Sequence, residues 1–180
     1  MSLRKTTAAI VLAFAVLVPA TARCVGSTAP ADYPKASPFS CTTLSGERLA
    51  YESLAGGRPY LVLVFFGVNC KPCQKEIAQL NELVRNRAFR EQAGVYAVNA
   101  DGYPAGKLAA ELKRREITVD FPVIPDDNQA ITNLYVEGVV PLTVVIDRDG
   151  RILLSVVGAR PESVRKIEKL ILAGKETASP

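Results

Sequence analysis

A continuous apolar run that leads directly into a pair of cysteines constrains this chain more than any other feature. Residues 60–66 (YLVLVFF) are all apolar or aromatic and rich in β-formers, as in a central strand covered on both faces. The motif Cys70-Lys71-Pro72-Cys73 follows after a short loop that starts at Gly67. From there, apolar residues recur at helical spacing, at Ile77, Leu80, Val84 and Ala88. The cysteine pair is therefore predicted where a central strand meets the first turn of a helix.

The rest of the chain alternates strands with helices, which predicts an α/β sheet flanked by helices. Further strands are predicted at 95–99, 143–147 and 151–157, and helices at 104–116, at 129–135 and from Pro161 to Gly174. Asp149-Gly150 indicates a tight turn, so the last two strands should form an antiparallel hairpin. A smaller hairpin is expected around Ser45-Gly46, ahead of the main sheet. On the helix after the cysteines, the face predicted to be exposed carries Gln74, Lys75, Gln79 and Asn81.

The N-terminus has the features of a secretory signal peptide. Arg4 and Lys5 precede an apolar run at 8–18, and small residues allow cleavage after Ala22. The run is shorter than the roughly 20 residues that a membrane-spanning helix needs. Lipid attachment at Cys24 would give an alternative, membrane-anchored form, although the preceding arginine fits such a site poorly. We therefore expect an exported, periplasmic or otherwise extracytoplasmic protein with a signal peptide at 1–22, a linker at 23–38, one domain at 39–174 and a tail at 175–180.

Composition excludes several classes of function. A chain of 180 residues, 48% hydrophobic, suits a single domain. Without Arg4 and Lys5 the chain has 20 basic and 18 acidic residues, which is not the excess of positive charge that indicates nucleic-acid binding. The absence of histidine removes a histidine general base and histidine-containing metal sites. We expect no cofactor and no bound metal.

Two cysteines separated by two residues suit dithiol exchange, in which one thiolate attacks a disulfide and a second thiol resolves the mixed disulfide. Cys70 is predicted as the attacking thiol, because a helix N-terminus favours a thiolate, and Cys73 as the resolving one. A zinc site would need a second ligand pair, and an inert disulfide here would constrain few residues. Cys24 and Cys41 are expected to form a structural disulfide or to be idle thiols.

The residues around this motif resemble the thioredoxin superfamily, in particular its exported TlpA/ResA-like branch. The resemblance spans residues 39–172. Its motifs are Val64-Phe65-Phe66 before the cysteines, Glu76 after them, and the segments at 98–101, 121–126, 138–143 and 146–150. It implies a thioredoxin-like fold with a central mixed β-sheet and an N-terminal β-hairpin extension. It also implies that Pro141 follows a cis peptide bond and faces the cysteines.

The same resemblance implies roles for the surrounding residues. Lys71, Pro72, Val140 and Pro141 would contact the substrate, and Glu76 would accept and return a proton of Cys73. A solvent-exposed glutamate on the helix surface is the alternative for Glu76. The chain departs from the family at Asn69, where a tryptophan is usual, and at Val64, where thioredoxins proper carry an aspartate. The peroxiredoxin signature is absent, because Leu63 and Gly67 occupy its proline and threonine positions.

The function that follows is reduction or rearrangement of disulfides in exported proteins, of the type that prepares apocytochrome c thiols for haem attachment. Expected partners are substrate proteins with disulfides and a membrane or exported electron donor, and the protein is expected to be monomeric. The alternative is a Cu(I) or thiol chaperone that uses the same cysteines without turnover. Met1 is the sole methionine that could assist copper binding.

Overall fold

The computed structural model describes residues 33–160 and 162–176. The predictions for the signal peptide, Cys24, the helix start at Pro161 and residues 177–180 lie outside this range. In chain order the elements are β1 (Ser40–Thr42), β2 (Arg48–Ala50), α1 (Tyr51–Leu54), β3 (Tyr60–Phe66), α2 (Lys71–Arg85), α3 (Arg87–Gln92), β4 (Ala93–Asn99), α4 (Ala105–Arg114), β5 (Val123–Pro125), α5 (Thr132–Tyr135), β6 (Leu142–Asp147), β7 (Ile152–Val157) and α6 (Ser163–Glu176).

Five strands form one mixed sheet in the order β5-β4-β3-β6-β7. β3 is the central strand: it pairs parallel with β4 and antiparallel with β6. β5 extends the parallel side, and β7 closes the other side as the predicted antiparallel hairpin with β6. β1 and β2 form the separate N-terminal hairpin. The predicted mixed sheet with helices and a hairpin extension is confirmed.

The apolar run of β3 is buried on both faces of the sheet, as its composition predicts. On one face, Val62, Val64 and Phe66 belong to a core cluster that includes residues of α2, α3, α4 and α6. On the other face, Leu61, Leu63 and Phe65 belong to a second cluster, which includes residues of α1 and is packed by residues of α5 and the N-terminal hairpin. Since the side chains of residues 61–66 are buried, the end of β3 is held in place, and the loop after Phe66 starts from a rigid point.

The helix after the cysteines is shorter than its apolar pattern predicts. α2 ends at Arg85, and Asn86 takes an extended conformation that caps α3 by accepting a hydrogen bond from the Ala88 N–H at 2.9 Å. The prediction that Asn81 is exposed is wrong. Asn81 is buried because its amide donates to the Thr118 carbonyl at 2.9 Å and its carbonyl accepts from the Asp120 N–H at 2.9 Å.

The prediction that Gly174 ends the last helix is also wrong, since α6 continues to Glu176. Gly174 packs closely against Tyr60, because a Cβ at this position would force the Tyr60 side chain to move. Residues 34–36 run beside the β6–β7 turn. The Ile152 N–H donates to the Pro34 carbonyl and the Ala36 N–H to the Gly150 carbonyl, each at 2.9 Å.

Within the described part of the chain, no helix has the length and apolar character needed to cross a membrane.

Candidate active site

The two cysteines of the motif form a disulfide at the start of α2. Their sulfur atoms are 2.09 Å apart and their Cα atoms 5.2 Å apart. Cys70 is the N-cap residue of the helix, and its Sγ accepts a hydrogen bond of 3.1 Å from the Cys73 backbone N–H. Backbone N–H groups at a helix N-terminus carry partial positive charge. The same geometry therefore favours a thiolate on Cys70 once the disulfide is reduced.

The two sulfurs differ in their access to solvent. Cys73 is fully buried, and Cys70 is half-buried. Lys71 and Pro72, which lie between them, are exposed on the first turn of α2. A substrate disulfide can therefore approach Cys70 but not Cys73.

The segment before β6 lies against Cys70. The Val140–Pro141 peptide bond is cis, as the resemblance implies. The Val140 carbonyl oxygen is 3.8 Å from Cys70 Sγ. The disulfide sulfur carries no hydrogen, so this contact is not a hydrogen bond in the oxidised protein. After reduction, the Cys70 thiol could donate to the same oxygen. Val140 is half-buried and Pro141 buried, and the Pro141 carbonyl accepts from the Gly158 N–H at 2.8 Å.

Glu76 lies one helical turn beyond Cys73 and is only 1% exposed, so it is not the solvent-exposed glutamate of the alternative interpretation. Its Oε1 accepts a hydrogen bond of 2.6 Å from the Thr143 hydroxyl. Its Oε2 has no hydrogen-bond partner among the described residues. Burial raises the pKa of Glu76 above its ordinary value, and the Thr143 hydrogen bond offsets part of that rise. A buried carboxyl with a raised pKa and an oxygen that has no partner among the described residues is suited to accept and return a proton.

The loop between β3 and α2 is held by Asp101, which follows β4. Asp101 Oδ2 accepts hydrogen bonds from the Val68 N–H at 2.7 Å and from the Asn99 amide at 2.8 Å. Gly67 makes this approach possible, because a Cβ there would lie 2.9 Å from Asp101 Oδ1. The Val68 carbonyl is held as well, by the Gln74 amide at 3.0 Å. Both polar groups of the Val68 backbone are thus fixed immediately before the cysteines.

The sequence interpretation did not find Thr143 or the role of Asp101. A signal for Thr143 was present, because it is the polar residue within the apolar strand 142–146 and a buried hydroxyl needs a partner. A signal for Asp101 lay in the topology: the carboxyl ends of adjacent parallel strands meet at one edge of a sheet. Identifying either partner required the strand order, which the sequence did not establish.

In residues 33–160 and 162–176, no group of three or more cysteine, aspartate or glutamate side chains is arranged to hold a metal ion. The arrangement that is present supports thiol chemistry. It consists of an accessible sulfur at a helix N-terminus, a buried sulfur behind it and a buried carboxyl one turn further.

Comparison with known proteins agrees with this geometry. The model of the AhpC/TSA family matches residues 33–155, which is more than half of the chain. The chain belongs to the AhpC/TSA family. The match covers β1 to β6 and the first part of β7, and it includes both cysteines, Glu76 and the cis proline.

Curated relatives of this AhpC/TSA-family protein are named thiol-disulfide oxidoreductase ResA. The protein from Bacillus thuringiensis (strain Al Hakam) is 31% identical over 121 residues, covering 67% of this chain and 66% of the relative. The protein from Geobacillus kaustophilus is 32% identical over 139 residues, covering 77% of this chain and 72% of the relative. The chain thus spans about two thirds of the length of the curated relatives it matches.

Solved structures are similar as well. A Chlorobium tepidum protein named as a thiol:disulfide interchange protein DsbE is 27% identical, with a TM-score of 0.66, and the match covers 78% of this chain and 95% of that one. StoA from Bacillus subtilis is 19% identical, with a TM-score of 0.57, covering 73% of this chain and 95% of that one, and shows similarity of fold alone. These findings confirm the predicted thioredoxin-like fold and the resemblance to ResA-like proteins.

Proposed function

We propose that this protein is a thiol-disulfide oxidoreductase that reduces disulfides of exported proteins through Cys70 and Cys73. The observation that carries the proposal is the asymmetry of the pair. Cys70 is accessible and caps α2, whereas Cys73 is buried and lies one helical turn before Glu76. The ResA names of the curated relatives support the same activity.

The reaction starts from the reduced enzyme. The Cys70 thiolate attacks one sulfur of a substrate disulfide, a Cys70–substrate disulfide forms, and the other substrate sulfur leaves as a thiolate. Cys73 then loses its proton to the Glu76 carboxylate and attacks Cys70 Sγ. That step forms the Cys70–Cys73 disulfide and releases the second substrate thiolate. Two electrons have passed to the substrate, and the enzyme has the disulfide state of the structure.

An external dithiol donor of two electrons completes the cycle. Its thiolate attacks Cys70 Sγ, Cys73 leaves as a thiolate and recovers the proton from Glu76, and a second donor thiolate releases Cys70. Glu76 thus holds one proton during the half of the cycle in which Cys73 has none. Lys71, Pro72 and Val140 surround the point of attack and are the residues that a bound substrate would meet.

The cellular setting is part of the proposal. The N-terminal features at 4–22 support export, and a CxxCH peptide of the apocytochrome c type is the proposed natural substrate class, as the resemblance implies. A peptide disulfide of that kind, compared with insulin as a general substrate, tests this narrower point. Equal rates for the two would contradict selectivity for apocytochrome c without affecting the activity itself.

The activity is tested by insulin reduction with dithiothreitol as donor. The wild type should accelerate it, and Cys73→Ser should stop turnover and accumulate a mixed disulfide that gel electrophoresis detects. Absence of activity combined with tight Cu(I) binding would overturn the proposal in favour of the chaperone alternative. Turnover that persists in Cys73→Ser would show that the dithiol mechanism is wrong.

A further inference from the structure

The contact between Glu76 and Thr143 joins two elements that are far apart in sequence. Thr143 lies on β6, opposite Val64 of the central strand, and its side chain points to the face that α2 covers. Thr143 is fully buried, and its Oγ1 lies 2.6 Å from Glu76 Oε1. Glu76 is ionisable and Thr143 is not, so the hydroxyl can direct the carboxyl without itself titrating in the ordinary range.

The two oxygens of Glu76 have different surroundings. Oε1 is occupied by the Thr143 hydroxyl, and Oε2 is buried without a partner among the described residues. A buried polar atom without a hydrogen bond costs about 1–3 kcal/mol, so structures rarely retain one without a role. The Cys73 thiol is the titratable donor one turn away on the same helix, and in the present disulfide it carries no proton. Opening the disulfide therefore supplies a proton donor, the Cys73 thiol, one turn from Glu76.

We propose that Thr143 is a positioning residue for disulfide exchange: its hydroxyl binds Glu76 Oε1, which leaves Oε2 as the atom that takes and returns the Cys73 proton. This proposal rests on the proposed function. The proton moves from Cys73 Sγ to Oε2 when Cys73 attacks the mixed disulfide, and it moves back when an external dithiol reduces the enzyme. Thr143 keeps its own proton throughout.

The surroundings of Glu76 leave few other groups that could direct it. β3 and β6 contribute Val62, Val64 and Val145 to the core on this face, and α6 contributes Val164 and Ile167. The charged side chains of α6 at Arg165, Lys166 and Lys169 are exposed, as is Lys75 on α2. Two effects shift the pKa of Glu76 from its ordinary value: burial raises it, and the Thr143 hydrogen bond lowers it. On α2, Cys73 precedes Glu76 by one helical turn and is the thiol that the proposed mechanism pairs with it.

The test is the pH profile of the resolving step in the full-length protein. The rate at which Cys73 releases a glutathione mixed disulfide from Cys70 is measured from pH 5 to pH 9 for the wild type, Thr143→Val and Thr143→Ser. Valine keeps the shape of threonine and removes the hydroxyl, which makes the Glu76 carboxylate harder to form. We expect the Thr143→Val profile to move upward by about one pH unit, with roughly tenfold slower resolution on its acid limb. Thr143→Ser retains the hydroxyl and should keep the wild-type profile.

A second pair of variants shows whether Thr143 acts through Glu76. In a Glu76→Gln background, Thr143→Val should cause no additional shift, because the group that the hydroxyl positions is no longer ionisable. If Thr143→Val does not fold by circular dichroism, Thr143→Ala is measured in its place.

The outcomes separate this proposal from the proposed function. An unchanged profile in Thr143→Val or Thr143→Ala, alongside a shifted profile in Glu76→Gln, would overturn the positioning role and leave the dithiol activity intact. A Thr143→Ser profile equal to that of Thr143→Val, or an additive shift in the double variant, would also overturn it. Loss of insulin reduction in the wild type would instead contradict the proposed function.

Discussion

Two buried carboxylates, Glu76 and Asp126, differ in how completely they are hydrogen-bonded. They are 1% and 3% exposed, respectively. Asp126 uses both oxygens: it accepts from the Ile131 N–H at 3.2 Å and the Thr132 N–H at 2.7 Å at the start of α5. Glu76 uses one oxygen, and its other oxygen has no hydrogen-bond partner among the described residues. A carboxylate whose two oxygens both accept hydrogen bonds stabilises the folded backbone around it. A carboxylate with one oxygen free of hydrogen bonds can still bind a proton at that oxygen.

Each carboxylate is associated with a cysteine. Glu76 follows Cys73, and Asp126 lines a groove of about 620 Å³ together with Cys41. Cys41 is the free cysteine of the described residues. Burial, followed by the nearby charge of Glu47, raises the pKa of the Cys41 thiol to about 11. Cys70 is capped by helix N–H groups instead. From this comparison we predict a reactive thiol at Cys70, at the start of α2, and an unreactive thiol at Cys41, in the hairpin.

The largest expected difference is between serine variants at these two cysteines. Cys70→Ser should reduce insulin reduction to the uncatalysed background, because the attacking sulfur is lost. Cys41→Ser, the matched control, should keep wild-type turnover. A comparable loss in both variants would break the distinction between a reactive and an inert thiol.

The second prediction concerns alkylation of the reduced protein at pH 7. A thiol with a pKa of about 11 is about 0.01% thiolate at this pH, against about 3% for an ordinary cysteine. Cys70 should therefore react with iodoacetamide at least about 100-fold faster than Cys41. Peptide mass spectrometry over a time course gives both rates. Similar rates would show that burial in the hairpin does not suppress the Cys41 thiolate.

The third prediction tests the structural carboxylate. Asp126→Ala leaves two buried N–H groups without their acceptor, so the free energy of unfolding should fall by about 2 kcal/mol. Chemical denaturation with urea measures this loss. Turnover per folded molecule should be unchanged, and a selective loss of activity would assign Asp126 a part in the chemistry.

The fourth prediction uses the pH dependence of stability at Glu76. Because the pKa of Glu76 is raised in the folded protein, the folded state keeps this proton where the unfolded chain has released it. Glu76 therefore lowers stability as pH rises from the ordinary carboxyl range through its folded pKa. The stability of Glu76→Gln relative to wild type should increase from pH 4 to pH 8, by less than the loss in Asp126→Ala. A constant difference across this range would mean that Glu76 is not perturbed by burial.

The smallest effect is expected at Lys71. Its charge favours the Cys70 thiolate and hence the reduced protein, so Lys71→Glu should make the protein more reducing. Lys71 is exposed, and screening by water and salt limits the shift to about 25 mV or less. Equilibration with glutathione buffers measures the potential, with Lys75→Glu as a control one turn further along α2. Equal potentials for wild type and Lys71→Glu would leave the helix terminus and Glu76 as the determinants.

The elements nearest the site were predictable because their patterns are local. The run 60–66 became β3 with the predicted bounds, and Asp149-Gly150 became the turn of the predicted antiparallel hairpin. Periodicity failed at the end of the next helix. The apolar spacing continues through Ala88, but Asn86 interrupts the backbone there and starts α3. A side chain that caps a new helix favours ending the preceding one. The spacing of apolar residues contains no information about such a cap.

The residues that surround the cysteines were harder to predict, because their partners are distant in sequence. Asn81 looked exposed on a polar helix face, yet its amide binds the backbone at 118–120. Asp101 reaches Val68 across 33 residues, and Thr143 reaches Glu76 across 67. Periodicity predicts whether a side chain faces the core, but it does not predict which polar group will be its hydrogen-bond partner.

The sequence alone determined where the cysteine pair of the proposed reaction lies: a strand, a Cys-x-x-Cys motif and a helix in direct succession place Cys70 at a helix N-terminus through local backbone geometry. The tertiary structure decided how that chemistry is supported. Strand order brings Asp101 to the loop before the cysteines and Thr143 to the carboxyl behind them. The physical reason is that a helix terminus is formed by neighbouring peptide groups, whereas the burial and hydrogen bonding of Glu76 depend on a strand that packs against it from elsewhere in the chain.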